Sequence, residues 1–492
     1  MVAGPPTRDS VAVVTPPPEE PERGSAAARL LESFEVPAFR WYFAAQFGTW
    51  GAMNMQMVVN GYLVFVLTDS YAALGMTALT RSLPGIVLAL VGGVLADRLP
   101  KKYLVQVAQF ASGLVAVAVG LLLWFDLLRF EHLLISSFLQ GALMSLMMPA
   151  RLSMLPALVG IPRIQNAQAL GMGMMNLMRM AGPAAGGLIL AMTGAYYAYF
   201  LMAGLYFWAT AMYVKVPNIE SLEQARRDGA AHLVGSVGSV GSVGSVGSVG
   251  SVGSVGSVAG AAGAAGAAGA AGAAGAGAGT GAADRSAAGR PKRASAIHDL
   301  LEGVRYVRRE RTIGTLLAVN LAIVLVSMPY QMLLPGYVLD VMQSGPGTLG
   351  ALQSISGVGA VAAIVVIAAM PTHQRGKILL LGSMLMGVAL VAFSFSTALI
   401  LTAPILIVVS VGQTFRMSLS SVLIQTYVHD EFRGRVNSLF MMEMSMVSLS
   451  TFIAGMLAAR FGAQVTIGSL AVILLVLTAW IWLFVPRLRE LD

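Results

Sequence analysis

Gly93-Val94-Leu95-Ala96-Asp97-Arg98-Leu99-Pro100-Lys101-Lys102 is a charged break between two apolar runs, at about 71–96 and 103–125. A helix that crosses the hydrocarbon core of a bilayer needs about 20 mostly apolar residues, so this stretch reads as a turn between two membrane spans. Outward from it the same pattern repeats. Four more runs lie before Lys215, at about 40–67, 133–158, 166–190 and 194–214. Six follow Arg311, at about 313–339, 347–370, 378–396, 399–426, 437–459 and 465–485. The expected fold class is an all-α membrane protein, with twelve transmembrane helices in two pseudo-symmetric six-helix bundles.

The composition agrees. Of 492 residues, 57% are hydrophobic and 11% charged, and the mean hydropathy is +0.75. A soluble domain carries about 25% charged residues, so an ordinary cytosolic enzyme, a disordered regulator and a nucleic-acid binder are excluded. The net charge of +8 is not gathered into one groove but sits in short breaks between the runs. Breaks after runs two, four, six, eight and ten hold Arg98, Lys101, Lys102, Arg163, Lys215, Arg226, Arg227, Arg375, Lys377, Arg433 and Arg435. The alternate breaks hold Arg129 and Arg460. The positive-inside rule therefore places both termini and the central loop in the cytoplasm, with the chain multi-pass in the inner (plasma) membrane. The chain has no cysteine, so disulfide and thiol chemistry are absent.

Six segments are expected. Residues 1–38 form a disordered cytoplasmic tail rich in Pro and Glu, 39–214 the first six-helix bundle, and 215–296 a flexible linker. Residues 297–311 form an interfacial helix, 312–486 the second bundle and 487–492 a cytoplasmic C-terminal tail. The linker repeats Gly-Ser-Val from Gly235 to Val258 and Gly-Ala-Ala to about Gly281. Glycine at every third position suits collagen, but a triple helix needs abundant proline, and Gly235 to Gly281 has none. As a flexible coil its roughly 80 residues span about 50 Å root-mean-square, enough to join two bundles without constraining them. In the interfacial helix Ile297, Leu300, Leu301, Val304 and Val307 make one stripe, and Arg305, Arg308, Arg309 and Arg311 lie largely on the remaining face. The halves match weakly at a shift of 269 residues, which pairs Met172 with Met441, Met175 with Met444 and Gly186 with Gly455. A repeat of this kind implies a site between the halves, opened alternately to either side.

The Gly-x-x-x-Asp-Arg-x-x-basic-basic pattern of Gly93, Asp97, Arg98, Lys101 and Lys102 resembles the signature of the major facilitator superfamily, with Pro100 in place of the usual second glycine. Further stretches are similar to the branch that contains the enterobactin exporter and the third drug:proton antiporter family. They are Gly48-Thr49-Trp50, Arg81-Ser82-Leu83-Pro84, Pro149-Ala150-Arg151, Gly182-Pro183-Ala184-Ala185-Gly186-Gly187 and Arg433-Gly434-Arg435-Val436. Met178 and Ala169 stand where the longer antiporter motif has glycines. The resemblance implies the major facilitator fold and a cytoplasmic gate. Asp97 would meet the start of helix eleven, marked by Arg433 and Arg435, where a helix N-terminus favours a carboxylate. On the alternative reading these charges only set the topology.

Polar side chains in lipid need a partner or a cavity. Helix one carries Gln46, Trp50, Met53, Gln56 and Asn60; helix four Gln140 and Arg151; helix seven Asn320, Ser327 and Gln331; helix ten Gln413 and Arg416. By the resemblance these four helices wall a central cavity, and by their chemistry each residue can instead bond a neighbouring helix. Arg81, Arg151, Arg179 and Arg416 fall within spans, against one acid well inside a span, Glu443. Glu443 is either the proton-coupling residue or a static counter-ion for an arginine. The excess of guanidinium groups favours anionic or acceptor-rich solutes. The clusters Met172, Met174, Met175, Met178, Met180 and Met441, Met442, Met444, Met446 suit a pliable pocket or plain gap filling.

The expected function is secondary active transport by alternating access: a proton-coupled exporter of small lipophilic or anionic compounds such as drugs or siderophores. The partners are the solute, protons and the bilayer, with no nucleic acid, in a monomer. Transport of another solute or a lipid without protons, or a non-transporting sensor, is the alternative. No enzyme is expected: the five histidines lie outside or at the edges of the spans, and neither HExxH nor a P-loop occurs. No metal or cofactor is required. Deleting Gly235 to Gly281 is expected to leave transport in vesicles unchanged; lost transport in a deletion variant that inserts normally would contradict the tether.

Overall fold

A computed structural model describes residues 32–98, 100–160, 163–218, 302, 305–370, 373–429 and 432–491, with the backbone alone at 86–98, 433–435, 437, 438, 441, 442, 444 and 445. Among the described residues it forms twelve long helices. The first six are α1 (Pro37–Thr68), α2 (Tyr71–Arg98), α3 (Lys101–Trp124), α4 (Phe130–Val159), α5 (Ile164–Met192) and α6 (Ala195–Lys215). The second six are α7 (Arg311–Val341), α8 (Pro346–Ala369), α9 (Arg375–Ser394), α10 (Leu399–Tyr427), α11 (Arg433–Phe461) and α12 (Ala463–Phe484), followed by the short α13 (Pro486–Arg489).

Seven of these, α3, α4, α7, α8, α9, α10 and α12, are long and apolar enough to cross a membrane by themselves. Helices such as α1 have their apolarity diluted by residues turned inward: Gln46, Thr49 and Gln56 are all buried. Helix α7 is interrupted. Pro329 lacks the N–H that a continuous helix would use there, so the chain restarts at Pro329–Gly336 and widens into a π-helical turn at Tyr337–Val341.

Within the first half α1 packs on α5 and α6, α2 on α4, and α3 on α4 and α6. In the second half α10 packs on α8 and α9, and α9 on α12. Two seams join the halves, α5 on α8 and α2 on α11. Both are built on glycine. A Cβ at Gly187 would lie 2.7 Å from the Gly350 Cα and the Pro346 carbonyl, and one at Gly455 would lie 2.6 Å from the Tyr71 carbonyl. Gly186, next to Gly187, and Gly455 are the residues paired by the 269-residue shift, so pseudo-equivalent helices supply the two seams. Tyr71 also donates a 2.9 Å hydrogen bond to Asp340 across the halves. All these approaches lie near one end, that of the turns at 69–70, 193–194, 343–345 and 462. Toward the other end, a Cβ at Gly171 or Gly173 on α5 would meet nothing within 4 Å among the described residues.

The edges of the two bundles differ in detail from the apolar runs. Glu32–Glu35, which the sequence reading places in the tail, form a 3-10 turn. Arg163 ties it down through ion pairs of 3.0 Å to Glu32 and Glu35, and Ser33 bonds Asn166 at 2.6 Å. The C-terminal tail docks as well: Leu488 and Leu491 are buried, and the Gly376 N–H donates to the Leu491 carbonyl at 3.0 Å. Of the expected interfacial helix, 305–309 is helical, and Tyr306 stacks on Phe432 at 4.1 Å with an interplanar angle of 7°. Its residues 297–301, 303 and 304, and the linker from 219 onward, lie outside the described residues. Gly187→Val is expected to force α5 and α8 apart at about 1–3 kcal/mol, read as a lower Tm of the purified protein in detergent; an unchanged Tm would show that the seam yields.

Candidate functional site

Each half holds a buried polar network, and the two differ in charge. In the second half Asn320 of α7 is the hub. Its side-chain amide donates to Glu443 Oε2 of α11 at 2.5 Å, and its Oδ1 accepts from Arg416 Nη1 at 2.6 Å and from Ser420 at 2.9 Å, both on α10. Asn320 and Arg416 are each 1% exposed and Glu443 is 4% exposed. The remaining capacity of the trio is unspent: Arg416 Nε and Nη2 and Glu443 Oε1 are buried without a hydrogen-bond partner. A neutral amide thus stands between the two charges, binding the acid with its donor end and the guanidinium with its acceptor end. A second group on the same helices joins Tyr330, Gln331 and Gln413: Tyr330 and Gln331 donate to Gln413 Oε1 at 3.3 and 3.1 Å, and Gln413 donates to Met328 Sδ at 3.6 Å. Ser327 is buried with its hydroxyl unpartnered.

In the first half a buried guanidinium has no acid beside it among the described residues. Arg151 of α4, 3% exposed, donates to Gln46 Oε1 at 3.2 Å and to Met148 Sδ at 3.1 Å, and lies 4.6 Å over the Trp50 ring. Gln46 in turn donates to Tyr42 at 3.2 Å. The ring face and the amide oxygen supply the negative potential that a carboxylate would otherwise provide. Methionines surround this pair: Met148 and Met178 are buried with Trp50, and Met53, Met144, Met174 and Met175 pack against them. The side chains of Met441, Met442 and Met444 lie outside the described residues.

Deeper in the same bundle Met53, Gln56, Arg81 and Gln140 line a small cavity with Thr49, Ser112 and Tyr206. Asn60 is directed elsewhere and donates to Ser137 of α4 at 3.2 Å, a helix-to-helix bond. Arg179, half-buried on α5, is within electrostatic reach of Tyr330 in the other half. In the motif at the α2–α3 turn, Gly93 lies on α2, and the Lys102 ammonium donates to the Val214 carbonyl at 3.0 Å, within the first half. The side chains of Asp97, Arg98, Arg433 and Arg435, and with them the expected gate contact, lie outside the described residues.

The sequence reading did not single out Tyr42, Gln109, Ser112, Tyr206 and Tyr330. Tyr42 precedes Gln46 by one helical turn and Tyr330 adjoins Gln331, so spacing holds a signal for both. Gln109 and Tyr206 lie on α3 and α6, which the four-helix stripe pattern leaves out.

Two six-helix bundles meeting on narrow glycine seams, with polar networks inside apolar helices, give the architecture of the major facilitator fold. The chain matches the family described as transmembrane secretion effectors over residues 30–229 and 280–492, and it belongs to that family. It is 29% identical over 194 residues to the enterobactin exporter EntS of Shigella boydii serotype 18 and to that of Escherichia coli O127:H6. That match covers 39% of this chain and 46% of each exporter, so the chain spans about half the length of the curated relatives it matches. The fold is that of solved transporters. The nucleoside transporter NupG superposes with a TM-score of 0.61 at 10% identity, covering 90% of this chain and 97% of that one. A bacterial homologue of the human lysosomal transporter Spinster, inward-facing and unoccupied, gives 0.61 at 12% identity, covering 95% and 98%. The chain is therefore a multi-pass membrane protein of this family with the fold of the solved transporters.

Asn320→Leu leaves both the Arg416 guanidinium and the Glu443 carboxylate buried without their shared partner. We expect a loss of about 3 kcal/mol, seen as a lower Tm, where Asn54→Leu, whose amide bonds only the carbonyl one turn back, changes little. Equal effects would show that Asn320 is not the hub.

Proposed function

We propose that this transporter exports small lipophilic or anionic compounds in exchange for protons, with Glu443 as the proton site. The observation that carries the reading is the carboxylate of Glu443, held through Asn320 and buried with Oε1 unbonded. A carboxyl in that state can take up and release a proton when the cavity changes its exposure, and Asn320 couples the event to Arg416 on a second helix. Because α7, α10 and α11 all contribute to the trio, a change in the charge of Glu443 acts on the packing of three helices at once. The match to enterobactin exporters supports outward transport and a siderophore-like or drug-like solute. On this reading the six segments keep their expected roles: a cytoplasmic tail, two bundles, a tethering linker, an interfacial helix and a second tail, with both termini in the cytoplasm of the inner membrane. The end at which the glycine seams meet is then the outer one, and the gate of Asp97 with Arg433 and Arg435 closes the other. The working unit is a monomer, since each half supplies its own network.

Glu443 as a static counter-ion is the competing reading, because Asn320 links it to Arg416 whether or not it titrates. Proton flux in proteoliposomes under an imposed pH gradient separates the two, using a panel of lipophilic and siderophore-like compounds. Compound-dependent proton movement that disappears in Glu443→Gln is expected. Compound movement without protons, indifferent to Glu443→Gln, would leave the glutamate as a counter-ion and end the antiport reading.

A further inference from the structure

We infer that the cavity inside the first bundle, beside Arg81, is a binding site for one compact anionic group, a halide or a single carboxylate. Arg81 on α2 enters the cavity from a fixed backbone position, because Gly141 of α4 lies directly against its carbonyl oxygen. Its guanidinium carries five N–H donors and no acceptor. Among the described residues the ion pairs are those of Arg163 with Glu32 and Glu35, and the cavity wall has neither aspartate nor glutamate.

The neutral groups around it add donors. The Tyr206 hydroxyl donates to Gln56 Oε1 at 3.2 Å, which occupies the acceptor end of that side chain and leaves its NH2 group unspent. Gln140 uses one amide hydrogen on the Ser112 carbonyl at 3.3 Å and keeps the other. Thr49 donates its hydroxyl hydrogen to the Ala45 carbonyl at 2.9 Å and accepts from Gln109 at 2.6 Å, so its oxygen has little left to offer. The other walls are the thioethers of Met53, Met144 and Met147, which are weak acceptors. A guanidinium and two carboxamides therefore converge on a space that holds no negative charge, within a bundle surrounded by lipid. Arg81 is half-buried, and a charge with no counter-charge is costly to keep in such a place. A small anion there satisfies the guanidinium and both amides together. Arg416 shares Asn320 with a counter-charge, Glu443, Arg151 is engaged by the Trp50 face, Gln46 and Met148, and neither lines this cavity.

The anion comes either from solution, as chloride, or from the acid group of a bound organic solute. The test uses purified full-length protein in detergent at constant ionic strength. Thermal unfolding is followed while sodium gluconate, a strongly hydrated polyhydroxy anion used as the reference, is replaced by sodium chloride or by sodium benzoate. A saturable rise in Tm with chloride, its midpoint weakened about tenfold or more in Arg81→Gln, assigns the site to a resident halide. The same Arg81-dependent rise with benzoate but not chloride assigns it to an acid group on the solute. Should Arg81→Gln fail to fold, Gln140→Leu removes one amide donor and is expected to weaken the midpoint several-fold. No saturable rise with either anion, or a midpoint indifferent to these substitutions, overturns the proposal. The measurement involves no pH gradient and no flux, so it stands apart from the outcome for Glu443.

Discussion

Hydrocarbon offers no hydrogen bonds, and the architecture follows from that one constraint. Every backbone N–H and C=O in the span has to be satisfied within its own segment, which selects helices. The same demand then falls on side chains, and the protein meets it by turning polar groups toward one another. Gln46, Thr49, Gln56, Gln109, Gln140 and Asn320 are all buried, while Ile400, Phe395 and Leu483 are 82%, 79% and 68% exposed. A soluble protein would not expose so much apolar surface. The inward polarity that lowers the apparent hydrophobicity of α1 is thus the feature that ties it to α4 through Gln46 and Arg151, and to α6 through Gln56 and Tyr206.

The halves divide the electrostatic work unequally. The second half balances Arg416 with Glu443 through Asn320, giving a buried unit with no net charge when the acid is ionised. The first half contains Arg81 and Arg151 with no acid among the described polar contacts of these two residues, and compensates Arg151 with an aromatic face, an amide oxygen and a thioether. Aromatic and sulfur partners are soft and non-directional compared with a carboxylate, so that guanidinium is held without being neutralised. Between the halves the contact is kept narrow. At the seams the backbones of α5 and α8, and of α2 and α11, approach closely because glycine leaves no side chain in the way. Such an interface is stabilised by dispersion over a short length of helix rather than by long interlocking side chains, which suits two bodies that rock against each other.

Much of the fold was legible in the sequence because a bilayer imposes a length. Apolar runs separated by charged breaks marked all twelve helices to within a few residues, and the stripes on helices one, four, seven and ten were legible because residues one helical turn apart share a face. The turn at Glu32–Glu35 was not, since its anchorage is two ion pairs to Arg163 more than a hundred residues away. Nor were Gln109 and Tyr206 singled out, since they lie on α3 and α6, outside the four helices whose stripes are expected to wall the cavity; the spacing of Gln106, Gln109 and Ser112 on α3 did hold a signal. Whether a polar residue faced a cavity or a neighbouring helix was equally hidden: Gln56 and Asn60 are one turn apart on α1, yet one lines the cavity beside Arg81 and the other bonds Ser137.

The sequence by itself determined the class of protein, the number and extent of its helices and the short list of charges inside them, because burial in lipid filters residue types before any packing is chosen. Only the tertiary structure decided which of those charges belong together. Asn320, Arg416 and Glu443 come from three helices, with 96 residues between the first and second and 123 between the first and third. Their meeting depends on how α7, α10 and α11 are rotated about their own axes. That rotation is set by the shapes of the surrounding side chains, summed over many weak contacts, and no local pattern in the chain encodes it.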